Sequence, residues 1–258
     1  MNELRELALS ALGSTTWAEK AACLSHVTPA SPIDAFRSLQ ALATIPGRPA
    51  VELVPPSGLR LRSVHTVEGR AVLLHALAHI EFNAINLALD VVWRFGGMPE
   101  AFYREWIGVA LEESLHFQLL ETHLMSLGYR YGDFPAHDGL WEMAERTQDD
   151  LLARLALVPR TLEARGLDAS PAVRHKLASG GDPKGAAIID VILRDEIGHV
   201  AIGNHWYRWL CTERGLDPIQ TYAQLAIQYR APKLKGPFNV EARLAAGFEP
   251  AEIEALQK

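Results

Sequence analysis

The chain has 258 residues, of which 48% are hydrophobic, and its formal net charge at pH 7 is −6. This length and composition predict one substantial core, while no apolar run reaches the roughly 18 residues of a membrane span and no long basic run favours nucleic acid. The cysteines Cys23 and Cys211 are too few for a disulfide framework, and the charged N-terminus lacks the layout of a signal peptide, so a cytoplasmic location is expected.

Residues 1–65 are predicted to form an N-terminal extension of short helices and loop. Glu3–Leu12 and Trp17–Leu24 have helical patterns, whereas six prolines between positions 29 and 56 indicate extended chain. The first long helix is predicted at Val64–Phe95, where apolar residues recur at helical spacing. A Gly-Gly pair ends this helix, and a second long helix is predicted at about Pro99–Leu127.

A third helix is predicted at about Gly139–Arg165, with Gly166 as its end. Pro159 lies inside this range, where it either kinks one helix or separates two helices. The connection that follows has room for a short helix at Ala172–Ala178. The fourth long helix is predicted at about Lys184–Glu213.

The C-terminal tail is predicted to hold one helix from Asp217 to about Tyr229 and two further short helices. No segment has a β pattern, so the fold class is all-α. The predicted organisation is an N-terminal extension (1–65), a four-helix bundle (66–215) and a helical tail packed on the bundle (216–258).

Two of the long helices carry the same motif, a glutamate followed three positions later by a histidine. The motif occurs as Glu113–His116 in the second helix and as Glu196–His199 in the fourth. A lone glutamate precedes each motif at nearly the same distance, since Glu81 lies 32 residues before the first and Glu163 lies 33 residues before the second. The two halves of the predicted bundle therefore repeat one arrangement.

This repeated arrangement predicts a metal site. Residues three positions apart on an α-helix lie about 60° apart around the axis, so a carboxylate and an imidazole can face one cavity. One such pair for each of two metal ions, with the lone glutamates as bridging carboxylates, is a dinuclear carboxylate site in a four-helix bundle. A single Glu-x-x-His is common on solvated helix faces, but two on apolar helices at matched spacing argue against that interpretation. His116 and Glu163 are 47 positions apart, which predicts a longer crossover between the helix pairs.

Other residues near the motifs have interpretations of their own. Glu112 and Asp195 each adjoin a motif glutamate but are rotated about 100° from it on a helix. Glu112 is expected to be solvated or salt-bridged, and Asp195 could orient a histidine. His75 and His79 have the i, i+4 spacing of metal ligands, but such a pair is more often a surface or interface pair. Trp206 is predicted to wall the cavity.

At these motifs the chain resembles the ferritin-like superfamily of di-iron carboxylate proteins and, more narrowly, an uncharacterised bacterial family of ferritin-like proteins with a domain of unknown function. The narrower resemblance is carried by the segments 109–117, 157–168, 193–205, 235–239 and 241–243. The resemblance implies an all-α bundle with a dinuclear iron or manganese centre. The superfamily ligands match six residues here: Glu81, Glu113, His116, Glu163, Glu196 and His199.

The leading functional hypothesis is a dioxygen-activating oxidoreductase. Its two metal ions would be iron, with manganese or a mixed iron–manganese pair as the alternative. They would act with a reductant on an unknown small-molecule substrate. The alternatives are a metal-binding protein that stores, detoxifies or senses iron without substrate turnover, and a structural bundle with a vestigial site. Membrane and nucleic-acid partners are not expected, and a homodimer stays open.

Overall fold

The structure is a computed structural model that describes residues 3–60 and 62–256, so the predicted extension and tail each include residues outside it. The described residues form an all-α protein without a β-strand, and their one isolated bridge joins Leu53 to Ala136. The chain divides into two compact units, 1–138 and 139–258. The predicted division into extension, bundle and tail stays a prediction.

The first unit contains two short helices followed by two long ones. They are α1 (Leu4–Gly13), α2 (Trp17–Leu24), α3 (Val67–Arg94) and α4 (Glu100–Ser126), with a 3₁₀ turn at Pro56–Gly58 before α3. These bounds lie within a few residues of the predicted ones. The start of α3 is fixed by Thr66, whose hydroxyl accepts a hydrogen bond from the Gly69 N–H at 3.0 Å. The helices α3 and α4 pack along each other and form the core of this unit.

The end of α3 is tied to the N-terminal helix by a buried arginine. Arg5 on α1 donates hydrogen bonds to the carbonyl oxygens of Val92, at 3.2 Å, and Trp93, at 2.6 Å. These carbonyls lie in the last turn of α3, where the helix itself supplies no N–H partners. The N-terminal extension therefore caps the helix that carries Glu81.

Helix α3 is long and apolar enough to cross a membrane by length and composition alone. Its most apolar 18 residues have a mean hydropathy of 1.4, but 72% of that window is buried inside the protein. A core helix of a soluble protein has this combination of properties. The finding is consistent with a soluble protein.

The second unit begins with a helical region that differs from the prediction. It contains α5 (Gly139–Arg146), α6 (Leu151–Leu157), a π-helix (Val158–Glu163), α7 (Ala164–Ser179) and α8 (Pro183–Glu213). Three short helices follow as α9 (Pro218–Gln228), α10 (Val240–Ala245) and α11 (Pro250–Leu256). The predicted fourth long helix and the three tail helices match α8, α9, α10 and α11 closely.

The single third helix predicted at Gly139–Arg165 is wrong, because the chain breaks between α5 and α6. Asp150 starts α6 as its cap, its carboxylate accepting a hydrogen bond from the Ala153 N–H at 3.1 Å. Arg154, fully buried, donates to the Ala144 carbonyl at 2.6 Å and to the Thr147 hydroxyl at 2.9 Å. These contacts give the Ala144 carbonyl in the last turn of α5 a hydrogen-bond donor, and they stabilise the break between α5 and α6.

The predicted helix end at Gly166 is also wrong, because α7 continues to Ser179. The helix passes through Pro171, which has no N–H to offer the carbonyl of Leu167 one turn earlier. The side-chain amide of Asn239 donates to that carbonyl instead, at 3.2 Å. A partner distant in sequence therefore replaces the missing bond, and the helix continues where local rules predict a stop.

Pro159 lies in the π-helix that joins α6 to α7. One of the two predicted outcomes was a kink before Glu163, and the observed π-helix is a local widening of the helix at this place. On α8, Gly203 faces Pro159, and a Cβ at this glycine would lie 2.6 Å from the Pro159 Cβ. The absence of a side chain at Gly203 lets the π-helix pack closely against α8.

Candidate metal centre

The first half of the candidate centre is a buried cluster on α3 and α4. Glu81 comes from α3, whereas Glu113 and His116 come from one turn of α4, and all three side chains are at most 3% exposed. One ligand atom from each of the three lies within 4.8 Å of the others. The i, i+3 spacing therefore does bring a carboxylate and an imidazole to the same side of α4.

His116 is the centre of this cluster. Its Nδ1 lies 3.1 Å from Oε2 of Glu113 and 3.3 Å from Oε2 of Glu81. Burial alone would lower the pKa of His116, but the hydrogen bonds and charges of the two carboxylates outweigh that effect and raise its pKa to about 11. Two carboxylates therefore converge on one point from two helices, where they favour a positive charge.

The residues that follow Glu81 and His116 in sequence belong to an aromatic cluster. Phe82 follows Glu81 in sequence and Phe117 follows His116, and their ring centroids lie 5.1 Å apart. Tyr131 contacts both rings, at 5.5 Å from Phe82 and 5.3 Å from Phe117. These three rings therefore pack α3, α4 and the loop after α4 together.

The second half of the motif lies on α8 in the second unit. Glu196 is 8% exposed and His199 is 2% exposed, and His199 Nδ1 lies 3.9 Å from Glu196 Oε2. Glu163 is half-buried and is the last residue of the π-helix. Trp206, predicted to wall the cavity, is buried on the same helix.

Four buried side chains are candidate metal ligands, namely Glu81, Glu113 and His116 in the first unit and Glu196 in the second. Glu163 and His199 are not among these four, so the six-residue ligand set stays a prediction. Carboxylate oxygens and an imidazole nitrogen are ligands that suit iron and manganese, and the four candidates include no thiolate. Buried carboxylates need a compensating cation, so this donor set fits a divalent metal.

Comparison with known proteins gives the family. The family model described as "Protein of unknown function (DUF455)" matches residues 10–254. The chain belongs to the DUF455 family. An uncharacterized protein of Haemophilus influenzae is 52% identical over 220 residues, which cover 83% of this chain and 76% of the relative. No solved structure matches.

This DUF455 chain also buries the two histidines that were expected at a surface or interface. His75 is fully buried and His79 is 4% exposed, so that expectation is wrong. His79 Nδ1 lies 2.8 Å from the Tyr131 hydroxyl, and His75 Nε2 accepts a hydrogen bond from the Gly132 N–H at 2.9 Å. Burial lowers the pKa of each histidine to about 4, so both are neutral near pH 7.

The two histidines thus hold the loop after α4 against α3. This loop carries Tyr131, which the sequence did not single out although it contacts Phe82 and Phe117, the residues that follow Glu81 and His116 in sequence. Its position depends on contacts between residues more than 50 positions apart, such as His79 with Tyr131. No local sequence signal could have identified it.

Proposed function

We propose that this protein is a di-iron carboxylate oxidoreductase built on a ferritin-like four-helix bundle. In this proposal two metal ions, iron or in part manganese, are held by the six residues of the repeated motif: Glu81, Glu113, His116, Glu163, Glu196 and His199. The observation that carries the proposal is the buried cluster of two carboxylates and one histidine on α3 and α4.

The repetition of the motif supports two metal ions rather than one. Glu196 and His199 have the same spacing on α8 that brings Glu113 and His116 together on α4, and both pairs are buried. Each pair would give one metal ion a carboxylate and an imidazole. The lone glutamates, Glu81 on α3 and Glu163 at the π-helix, would supply the further carboxylates, and four carboxylates balance the charge of two divalent ions.

The chemistry that a bound iron pair supplies is the activation of dioxygen for the oxidation of a small organic substrate, with electrons from an external reductant. The chain itself would supply the ligand geometry and a dry environment. Val109 and Leu120 lie on the face of α4 that carries Glu113 and His116, and these buried apolar side chains would keep bulk water from the site. A cytoplasmic location, where thiols stay reduced and electron donors are available, belongs to the same proposal.

The test is dioxygen consumption by the ferrous-loaded protein under single-turnover conditions. The wild type is expected to consume dioxygen well above the rate of free ferrous ion in the same buffer. Glu81→Ala should lose this acceleration while its circular dichroism stays helical. Glu112→Gln is the matched control, because Glu112 adjoins the ligand Glu113 but is exposed.

Two results would contradict the oxidoreductase. A wild type that binds two metal ions but oxidises iron no faster than buffer would indicate a metal-handling protein without turnover. A wild type that binds no metal would indicate a structural bundle with a vestigial site.

A further inference from the structure

A cavity lies at the far end of α3, away from the candidate metal centre. It opens beside the loop at residues 35–39, and its volume of about 420 Å³ falls within the range of small-molecule sites. Three arginines and no carboxylate are among its lining residues, which are Arg5, Ala35, Phe36, Arg37, Ser38, Leu39, Trp93, Arg94, Gly96 and Gly97. Twelve residues separate Glu81 from Trp93, so the cavity lies about 18 Å along α3 from the metal ligands.

The floor of this cavity carries a buried positive charge. Arg5 is 3% exposed, and its guanidinium donates only to backbone carbonyls, those of Asp34, Ala35, Arg37, Val92 and Trp93. Among the residues that the structure describes, no carboxylate forms an ion pair with Arg5. The carbonyl groups accept hydrogen bonds from the guanidinium but do not neutralise its charge. A buried charge is normally balanced by an opposite one.

The other two arginines have donors to spare. Arg94 binds the buried carboxylate of Asp90 through Nε and Nη2, at 2.7 to 3.0 Å, and its Nη1 makes no hydrogen bond within the described ranges. Arg37 pairs with Glu6 at 2.7 Å through Nη2 alone, and both side chains are more than 40% exposed. An exposed ion pair of this kind is weak, so Arg37 can turn to a bound anion at little cost.

Aromatic groups lie next to these charges. Phe36 is 88% exposed, the most exposed large hydrophobic side chain among the described residues. Trp93 is 6% exposed, and its indole N–H has no hydrogen-bond partner in the described part of the chain. The Arg94 guanidinium lies over the Trp93 ring at 4.7 Å. The cavity therefore combines three arginines, one of them without an ion-pair partner among the described residues, with a buried spare donor and an apolar ring at its rim.

We propose that this cavity binds a small phosphate monoester that carries a planar aromatic group. The phosphate receives hydrogen bonds from Arg37 and from Nη1 of Arg94 and balances the charge of Arg5. Guanidinium groups bind phosphate oxygens in a fork geometry, which accounts for arginine rather than lysine at these positions. The aromatic group stacks on Phe36. Arg5 is a positioning residue, because its backbone contacts hold the loop of Phe36 and Arg37 against the end of α3.

Isothermal titration calorimetry on the full chain tests this site with three probes: phenyl phosphate, inorganic phosphate and benzyl alcohol. Phenyl phosphate should bind most tightly, inorganic phosphate about tenfold more weakly and benzyl alcohol not measurably, because the charge supplies most of the affinity. Benzoate in place of phenyl phosphate distinguishes a carboxylate ligand, and tighter binding of benzoate would overturn the choice of phosphate.

Two variants at exposed positions test the assigned roles without threatening the fold. Arg37→Gln should weaken both phosphate probes about tenfold, the loss of one charge-assisted contact. Phe36→Ala should weaken phenyl phosphate to the level of inorganic phosphate. Arg174→Gln is the matched control, because Arg174 also forms an exposed ion pair, with Asp190, but lies outside the cavity.

The site would be overturned by a wild type that does not bind phenyl phosphate at about 5 mM. Equal binding by Arg37→Gln and Arg174→Gln would equally overturn it. If Phe36→Ala kept the preference for phenyl phosphate over inorganic phosphate, the aromatic part of the proposal would be wrong. None of these readouts depends on metal, so the result is independent of the proposed oxidoreductase.

Discussion

Nδ1 of His116 lies 3.1 Å from Oε2 of Glu113, one turn earlier on the same helix. The contact places a carboxylate and an imidazole at one point inside the protein, and Glu81 reaches the same point from α3 at 3.3 Å. A metal ion bound between these side chains would need the negative charge of the Glu113 and Glu81 carboxylates. Metal binding should therefore depend on Glu113 and not on its exposed neighbour.

Metal should stabilise the wild type and the Glu112→Gln control but not Glu113→Gln. A ligand that binds only the folded state at about 100 times its dissociation constant adds roughly 2.7 kcal/mol to the free energy of unfolding. Thermal unfolding with and without ferrous ion, under nitrogen, measures this difference. Equal shifts in Tm for Glu113→Gln and Glu112→Gln would remove Glu113 from the site.

Two glycines on α8 should respond in opposite directions to alanine. Gly203→Ala places a Cβ within 2.6 Å of the Pro159 Cβ, so it should destabilise the protein by about 1–3 kcal/mol through overpacking. A Cβ added at Gly198 meets no atom within 4 Å, so Gly198→Ala should stabilise the helix by about 0.5–1 kcal/mol. Urea unfolding of both variants measures these changes. A neutral Gly203→Ala would show that the π-helix does not pack closely on α8.

The buried pair of Arg243 and Asp168 should be far more important than an exposed pair. Arg243 is fully buried and donates to both carboxylate oxygens of Asp168, at 3.0 and 2.7 Å. Asp168→Asn leaves the guanidinium without its counter-charge and should cost about 3–5 kcal/mol. The control Asp190→Asn breaks the exposed pair with Arg174 and should cost less than about 1 kcal/mol. Similar urea midpoints for the two variants would contradict this.

Lys20 should make stability depend on pH. Its side chain is fully buried, its Nζ donates to the Ala11 carbonyl, and burial lowers its pKa from the ordinary value of 10.5 to about 7. Below pH 7 Lys20 is protonated in both the folded and the unfolded state, so the buried charge lowers the free energy of unfolding by its full amount. Between pH 7 and 10.5 the unfolded state binds more protons, so stability rises with pH, and above 10.5 the cost is gone.

Lys20→Met removes this charge, so it should stabilise the protein most at about pH 6 and progressively less toward pH 10. The difference in Tm between variant and wild type at each pH isolates Lys20, because other groups titrate in both proteins. Lys176→Met, at an exposed position, is the control. A gain from Lys20→Met that is constant across this range would show that Lys20 is not buried as a charge.

Those parts of the fold that depend on local periodicity could be predicted from the sequence. The long helices α3, α4 and α8 are uninterrupted apolar patterns with recognisable ends, and their predicted bounds differ from the observed ones by a few residues. The buried placement of Glu81, Glu113 and His116 follows from the same periodicity. The bundle that would join the two helix pairs, and the full set of six ligands, stay predictions.

The remaining features depend on partners that are distant in sequence. Arg154 stabilises the break between α5 and α6, and Asn239 allows α7 to continue past Pro171. The burial of His75 and His79 depends on the loop at Tyr131 and Gly132 folding back over α3. A local pattern cannot supply such contacts, since each becomes favourable only after the chain has closed a long loop.

The most direct test of the central claim is the number of metal ions per chain. Protein purified without oxygen and loaded with ferrous iron is desalted and analysed by inductively coupled plasma mass spectrometry. The expected result is close to two metal ions per chain for the wild type and for Glu112→Gln, with a clear decrease for His116→Ala and for His199→Ala. A wild type without stoichiometric metal, or two metal ions retained in both histidine variants, would contradict the dinuclear centre.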